Sequence, residues 1–196
     1  MNANVGMRYP VFAPVASYTP GTSITYSAGY VCAEAISASI SWNRSDGRFY
    51  GDDVQLDSDN GVNGYTIDFN PTGLSDSVRN KLLGETIANT SEYTITDQAS
   101  PDVGFGYIRV MRSNAGTSGQ VVERYEGWWY YKVKFSVTSE ETRTKEESIE
   151  WRTPTLSGNG AGVQLDSSGA ISFAVHETFE TYAAAETWLK AKAGIT

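Results

Sequence analysis

The chain has 196 residues, 19 of them glycine, and a formal net charge of −8 from 15 basic and 23 acidic side chains. This length can bury one sizeable core, whereas the acidic balance argues against sequence-independent DNA binding, which needs lysine and arginine on the phosphates. Cys32 is the only cysteine, which excludes a disulfide framework. Neither a signal peptide nor a membrane span is visible, so we expect a soluble protein made in a reducing cytoplasm.

Residues 1 to about 23 contain three prolines among scattered glycine, serine and threonine. Such a composition is typical of an extended arm rather than a packed element. Tyr9, Val11 and Phe12 are apolar enough that we expect the arm to lie on another surface, such as a neighbouring subunit. Tyr9 and Phe12 are therefore candidate subunit contacts.

The first long strand is predicted from Val31 to Trp42. Cys32, Ile36, Ile40 and Trp42 share one apolar face, and small residues occupy the other. An Asp-Gly turn signal at residues 46–47 precedes a short strand at residues 48–50. Asn-Gly pairs then precede another alternating strand, whose buried face is Tyr65, Ile67 and Phe69.

Two segments have the period of a helix. Residues 74–83 have apolar side chains spaced by four, with Ser75 as a plausible N-cap and Gly84 at the C-terminal position that favours glycine. A second helix is predicted at about residues 181–193, with Glu186 and Lys190 at the stabilising i,i+4 spacing. Its apolar stripe is Tyr182, Ala185 and Leu189.

Between the helices the pattern is that of strands. Residues 105–111 and 121–129 are predicted as antiparallel strands joined by a flexible loop at residues 113–119. Residues 157–176 are rich in glycine and have room for one or two edge strands. The sum predicts a mainly β protein, a sandwich or barrel with one flanking α-helix and a C-terminal helix.

The most regular pattern runs through residues 128–156. Apolar and polar side chains alternate and, after a charged connection at residues 139–147, alternate again, which predicts a long strand and its antiparallel partner. This pairing would bring Lys132 and Lys134 opposite Glu150. The predicted core of the hairpin is Trp129, Tyr131, Val133, Phe135, Val137, Ile149 and Trp151.

The residues that could carry catalysis or bind a metal have simpler explanations. His176, the only histidine, lacks a serine or cysteine motif around it and is expected at a surface or interface. Residues 57–68 have neither the glycine nor the glutamate positions of an EF-hand loop. The carboxylates of residues 140–150 are mixed with basic residues, as on a solvated face. We therefore predict no enzyme, no metal and no cofactor.

Five blocks of the chain, in order, resemble the major tail tube proteins of long, flexible, non-contractile phage tails (siphophages). The most specific is YYKVKFSVTSEETRTKEESIEWRTPTL at residues 130–156, which is similar to the closing segment of that family. The others are RFYGDD at 48–53, NGYTIDF at 63–69, the helix ending LLGE at 74–85, and FGYIR at 105–109. The resemblance covers about residues 31–156 and departs from the family at Trp128–Trp129 and near Asn159.

The resemblance implies a single tail tube domain over residues 1–196, with a C-terminal extension at 159–196. It implies a β-sandwich that assembles into hexameric rings, which stack into a hollow tube in the virion tail. DNA would pass through the lumen without specific binding, and the partners would be further copies, the tape measure protein and the tail tip and terminator proteins. The candidate ring contacts are Tyr9, Phe12, Phe49, Tyr50, Trp128 and Tyr130.

Two other functions remain open from the sequence. Trp128 and Tyr130 point away from the predicted core and could stack on a sugar, as in a monomeric carbohydrate-binding β-sandwich. The carboxylates of residues 140–150 could supply the acid pair of a glycoside hydrolase. Self-assembly, sugar-dependent tryptophan fluorescence and loss of activity on mutating one glutamate distinguish these functions.

Overall fold

The computed structural model describes residues 2–32, 34–45, 47–51, 54–59, 61–89, 92–94, 99–115, 120–139 and 153–195. Within them the chain is mainly β, with antiparallel pairing and two helices. The strands are β1 (Asn2–Thr19), β2 (Ser23–Tyr26), β3 (Tyr30–Val31), β4 (Ala35–Arg44), β5 (Gly47–Gly51), β6 (Val54–Asp59), β7 (Val62–Pro71), β8 (Thr86–Asn89), β9 (Glu92–Thr94), β10 (Val103–Ala115), β11 (Gln120–Ser139), β12 (Thr155–Gly160), β13 (Val163–Gln164), β14 (Ile171–Ser172) and β15 (Ala174–Phe179). The helices are α1 (Asp76–Leu83) and α2 (Tyr182–Ala193).

Nine of the described strands form one sheet, built around β11. The main path has the order β2-β1-β10-β11-β12-β7-β4, while β15 pairs with β11 and β3 pairs with β1. β11 is 20 residues long, so it pairs with β10 along one edge and with both β12 and β15 along the other. The prediction of antiparallel strands at residues 105–111 and 121–129 is confirmed by β10 and β11.

Both faces of this sheet are covered, which gives two cores. The α1-side core comprises Phe12, Cys32, Tyr65, Ile67, Phe69, Val78, Leu82, Val103, Phe105, Tyr107, Tyr130, Val133, Phe135 and Leu156. The α2-side core comprises Val11, Ala13, Ile108, Trp129, Ala185, Leu189 and Ala193. A sheet buried on both faces needs apolar side chains at successive positions, and residues 11–13 and 129–130 meet that need.

The N-terminal segment is part of the sheet, so the prediction of an extended arm at residues 1–23 is wrong. β1 pairs with β10 over residues 2–14 and with β2 over residues 15–19. Val11, Phe12 and Ala13 are fully buried. Two of the three prolines fit because Pro10 lies at a register shift of β1, where no ladder N–H is required, and Pro20 follows the strand in a turn.

The long alternation in β11 is interrupted by a β-bulge, so the prediction that residues 129–137 share one face is wrong. Phe105 pairs with Tyr130 but Val103 pairs with Val133, which leaves one extra residue on β11. Because the side-chain period is two, one extra residue moves all later side chains to the opposite face. The α2-side core therefore receives Trp129 and Tyr131, and the α1-side core receives Val133, Phe135 and Val137.

The antiparallel partner of the second half of β11 is β12. Val133 to Ser139 pair with residues 155–160, whereas Ile149 and Trp151 of the predicted hairpin lie outside the described residues. The ammonium groups of Lys132 and Lys134 lie 3.3 and 3.9 Å from carboxylate oxygens of Asp102. Asp102 immediately precedes β10, so these lysines have an acidic partner other than the predicted Glu150, which also lies outside the described residues.

The buried face predicted for β4 is only partly correct. Ile40 packs against the α1-side core, but Ile36 is 62% exposed and Trp42 is 39% exposed. A register shift between Ala35 and Ser37 changes the alternation at the start of the strand. The neighbouring strand β7 agrees with its prediction, since Tyr65, Ile67 and Phe69 are all buried.

Both predicted helices are confirmed, together with their ends. α1 follows Ser75, which occupies the N-cap position but makes no side-chain capping hydrogen bond, and ends at Gly84, whose φ of 74° lies in the left-handed region. α2 begins after Thr181, whose hydroxyl accepts a hydrogen bond from the Ala184 N–H, and ends at Gly194. The predicted stripe of α2 faces the sheet, and the Glu186–Lys190 ion pair forms at 2.7 Å.

The residues of the LLGE block have a structural role. Gly84 ends α1, and the buried carboxylate of Glu85 accepts from the Arg79 Nε on both oxygens at 3.2 Å. Asn80 Nδ2 donates to the Glu85 carbonyl. A buried acid requires such partners, so this block ties the last turns of α1 to the residue that follows Gly84.

Candidate functional site

A cluster of aromatic rings lies on the α1 side of β10, β11 and β15. Trp128 is directly opposite Tyr107 on β10 and His176 on β15. Its ring stacks on Tyr130, with centroids 6.0 Å apart and planes at 19°. Tyr130 in turn contacts Trp42, with centroids 6.4 Å apart, which joins β4 to the cluster.

Trp128 is held by polar groups on three strands. The exposed His176 ring stacks on it at 4.4 Å and 17°, and the Arg109 guanidinium carbon lies 4.9 Å from the ring centroid. The indole Nε1 donates to Glu126 Oε2 at 3.0 Å, and Arg109 Nη1 lies 3.5 Å from the same oxygen. Because Arg109 and His176 come from strands on opposite sides of β11, a ligand that stacked on Trp128 would have to displace one of them.

The six candidate ring contacts differ in how much of each side chain is exposed. Phe12 and Tyr130 are 0% and 1% exposed within their own chain, so the prediction that they contact a neighbouring subunit is wrong. Phe12 is buried because β1 belongs to the sheet, and Tyr130 is buried because the face on which it lies is covered as well. Tyr9 and Trp128 are half-buried and retain accessible surface. The side chains of Phe49 and Tyr50 lie outside the described part of the chain.

A gap between β1 and β4 is the most unusual feature near this cluster. The segment that leads into β4 begins beside β1. Val31 of β3 pairs with Val11, and the Cys32 N–H donates to the Pro10 carbonyl at 2.9 Å. Beyond this point they separate: in the described residues, β4 has β7 as its only strand partner, and residues 2–8 of β1 have only β10. The two unpartnered edges line the same gap.

The gap opens at a strained residue. Tyr9 has φ of +53°, the only positive φ among the described residues other than glycine, and it precedes Pro10 at the register shift of β1. A left-handed conformation costs a residue with a side chain roughly 1–2 kcal/mol. Such strain persists where the surrounding structure requires it, often at a functional site. Here it coincides with the register shift of β1, next to the residues that pair with β3.

Two hollows that share Met7 lie along the gap. One of about 290 Å³ has an aromatic wall of Trp42, Tyr107, Trp128 and Tyr130 and is also lined by Asn4, Ser39 and Arg109. The other, of about 430 Å³, is lined by Arg8, Tyr9, Cys32, Glu34 and Tyr182 among others. Sequence reasoning missed this site because strands that diverge after pairing leave no local pattern. Pro10 and the uncharged run of β4 lie beside the gap, but neither feature alone indicates that two strands diverge there.

The titratable groups near the gap are structural. Burial raises the pKa of Cys32 to about 12, as expected for a thiol in apolar surroundings. Burial also raises the pKa of the Tyr26, Tyr65 and Tyr130 phenols, which keeps them neutral. Within the described ranges, no three His, Cys, Asp or Glu side chains are placed to share a metal ion. The carboxylates of residues 140–150 lie outside those ranges.

The Cys32 thiol is expected to react slowly while the chain is folded. With a pKa of about 12, only about one thiol in ten thousand is ionised at pH 8, and the thiolate is the nucleophile. A disulfide reagent at pH 8 should therefore label Cys32 at least about a hundredfold more slowly in buffer than in 8 M urea. Equal rates in the two solvents would contradict the buried placement.

None of the described helices has the length and apolar character needed to cross a membrane. No protein-family model matches the chain, and no curated protein matches it by sequence. The features that bear on function are therefore the residues of the site, the open strand edges and the resemblance of the sequence blocks.

Proposed function

We propose that this chain is the tail tube subunit of a long, non-contractile phage tail, where it self-assembles into stacked hexameric rings. The rings would form the hollow tube through which DNA passes during ejection. Five sequence blocks support the proposal, in the order found in the family, including the helix that ends in LLGE. The proposed fold is the tail-tube type, a β-sandwich or barrel with α1 on its flank.

The observation that carries self-assembly is the unprotected edge of β4. From Ala35 to Asn43 the strand has the sequence AISASISWN, without a charge or a proline. Soluble proteins protect long edges with charges, prolines or short strands, because an open edge is a template for pairing with another chain. Three other edge strands of this sheet are protected: β2 and β3 have four and two residues, and β15 carries His176 and Glu177.

The packing supports a sheet that curves toward closure. Residues from β1, β7, β10, β11 and β12 all enter the α1-side core, although β1 and β7 are far apart in the strand order. Twist brings distant strands of a long sheet toward each other, and closure removes edges. In the proposed ring, the sheet of one subunit would continue into the next and cover the edge of β4.

The charge of the chain suits a DNA conduit. With a net charge of −8, a wall built from many copies would repel phosphates and let DNA slide without binding. The proposed partners are further copies of the chain, the tape measure protein and the tail tip and terminator proteins. The proposed role is structural, in the virion tail, and needs neither a catalytic residue nor a cofactor.

A monomeric carbohydrate-binding module is the second candidate, favoured by the aromatic wall of the 290 Å³ hollow. Trp42, which is 39% exposed, is its most accessible large ring. The stacking of Trp128 with Arg109 and His176 weighs against it. A titration with oligosaccharides separates the candidates, since saturable quenching of tryptophan fluorescence in a stable monomer would favour the binding module.

The direct test is negative-stain electron microscopy with light scattering on the same purified sample over a range of concentrations. Six-fold rings or tubes, with a mass that rises with concentration, are the expected result. The sample should also be seeded with a tail tip complex, because nucleation of a ring is slower than its growth. A particle that stays monomeric when concentrated and when seeded would refute the proposal.

A further inference from the structure

The side of the sheet opposite the α1-side core is covered over only part of its area. α2 packs on β1, β10, β11 and β15, and the α2-side core contains no residue of β4, β7 or β12 among those described. Ile67, Phe69 and Leu156 are buried in the α1-side core, so the side chains that alternate with them along β7 and β12 point to the uncovered side. We call the side chains on this side, from residues 37–43, 66–70, 155–159 and 134–138, the polar face.

Short hydrogen-bonding side chains form rows across the polar face. Ser39, Asp68, Ser157 and Ser136 are directly opposite one another on β4, β7, β12 and β11. Ser157 Oγ donates to Asp68 Oδ1 at 3.2 Å, and Ser136 Oγ donates to the Ser157 carbonyl at 3.3 Å. Strands favour β-branched and aromatic residues and disfavour aspartate and asparagine. Departures from such local preferences are concentrated at functional sites.

The polar face carries a single basic residue. The next row along the strands is Ser41, Thr66, Asn159 and Lys134, and no other lysine or arginine lies on the face. The Lys134 ammonium lies 3.9 Å from Asp102 Oδ1, so this charge has an acidic partner. Proteins retain DNA mainly through lysine and arginine on the phosphates. The polar face therefore lacks the cationic contacts that hold DNA in place.

The strands that carry the polar face have two open edges. In the described residues, β4 pairs only with β7, and β11 beyond Val133 pairs with β12 but not with β10. Neighbours in the order β11-β12-β7-β4 are antiparallel, so β4 of one copy and β11 of the next would again be antiparallel. Such a head-to-tail contact joins two different edges and can close into a ring.

We propose that the polar face lines the lumen of the tube and is the surface along which DNA slides. In a ring closed through these edges, one side of the four strands points to the centre and the other points outward. The α1-side core, on which α1 packs, adds a helix about 10 Å thick to one side. That side needs the larger outer circumference, which leaves the polar face at the centre. The inference rests on the proposed function and adds the identity of the conduit wall.

The accessibility of new cysteines in assembled tubes tests this proposal. Ser136→Cys and Asn159→Cys each place one thiol on the polar face, at exposed positions of β11 and β12. The parent chain is the control, because Cys32 is buried and should react little. Each protein is treated before and after assembly with N-ethylmaleimide and with maleimide-coupled serum albumin, which is much wider than a DNA duplex. Two positions are used, and circular dichroism checks each fold, so the test does not depend on a single variant.

In unassembled protein, both reagents should label both new thiols. In long tubes N-ethylmaleimide should still label them, whereas the albumin reagent should react at least about tenfold more slowly, because access limits the reaction of a thiol. Labelling by both reagents at the unassembled rates would place the polar face on the outside of the tube, and protection from both would place it in a subunit contact. Either result overturns the inference and leaves the tail tube proposal standing. If no tubes form when the protein is concentrated or seeded, both proposals are overturned.

Discussion

Replacing Gly106 by alanine is expected to destabilise the protein by about 3 kcal/mol or more, close to the upper range for overpacking a core. A Cβ built at this position lies 2.6 Å from the Trp128 carbonyl oxygen, 2.7 Å from Leu189 Cδ1 and 2.7 Å from Trp129 Cε3. One of these atoms is backbone and the other two side chains are fully buried. None can move without disturbing the contact between α2 and the sheet.

The matched control is Gly6→Ala. Gly6 is also in a strand at a register shift, but a Cβ there meets nothing within 4 Å. Its substitution should change stability by less than about 1 kcal/mol. Thermal melting followed by circular dichroism should place the midpoint of Gly106→Ala roughly 6–12 °C below that of Gly6→Ala, given 2–4 °C per kcal/mol at this chain size. Similar midpoints for both variants would show that α2 does not pack at Gly106 as described.

Gly106 also shows why the helices were easier to predict than the sheet. Caps and periods are local, so Ser75, Gly84 and Gly194 could mark the helix ends from the sequence alone. The need for glycine at position 106 arises from Leu189, which is distant in the sequence. No local sequence pattern predicts a contact between residues so far apart in the chain.

The face of β11 could be predicted only up to its bulge. The alternation from Trp129 to Val137 is regular in the sequence, and nothing in it marks the extra residue between Tyr130 and Val133. The bulge lies opposite the start of β10. There Val103 enters the core, and Asp102, just before β10, forms an ion pair with Lys132. The pairing between β10 and β11 therefore determines on which face of the sheet each β11 side chain lies, because tertiary context overrides a local strand pattern.

The candidate site was partly predictable. Trp128 was recognised as an accessible aromatic residue, and Cys32 as a small buried hydrophobe. The prediction failed at Phe12 because the composition of residues 1–23 does not reveal β1, and at Tyr130 because a sheet covered by α1 and α2 buries both faces. The gap beside β4 could not be predicted, because it depends on where the pairing between β1 and β3 ends, and that pairing joins Val11 to Val31.

Replacing Trp129 by alanine is the other change with a large expected effect, a loss of about 3–5 kcal/mol of unfolding free energy. Trp129 is fully buried between β11 and α2, and its ring meets the edge of Tyr26 with centroids 5.2 Å apart at 89°. Its Nε1 donates to the Tyr26 hydroxyl at 3.3 Å, which donates to the Tyr131 carbonyl at 2.9 Å. The alanine variant leaves both a cavity and an incomplete polar chain.

Two further variants separate these causes. Trp42→Ala removes the same side chain from a site that is 39% exposed, so its cost should be smaller, about 1–2 kcal/mol. Tyr26→Phe keeps the ring and removes the hydroxyl, which should cost about 1–3 kcal/mol because the buried Trp129 donor loses its acceptor. Urea denaturation followed by far-ultraviolet circular dichroism measures all three. If Trp129→Ala cost no more than Trp42→Ala, the burial of Trp129 between β11 and α2 would be contradicted.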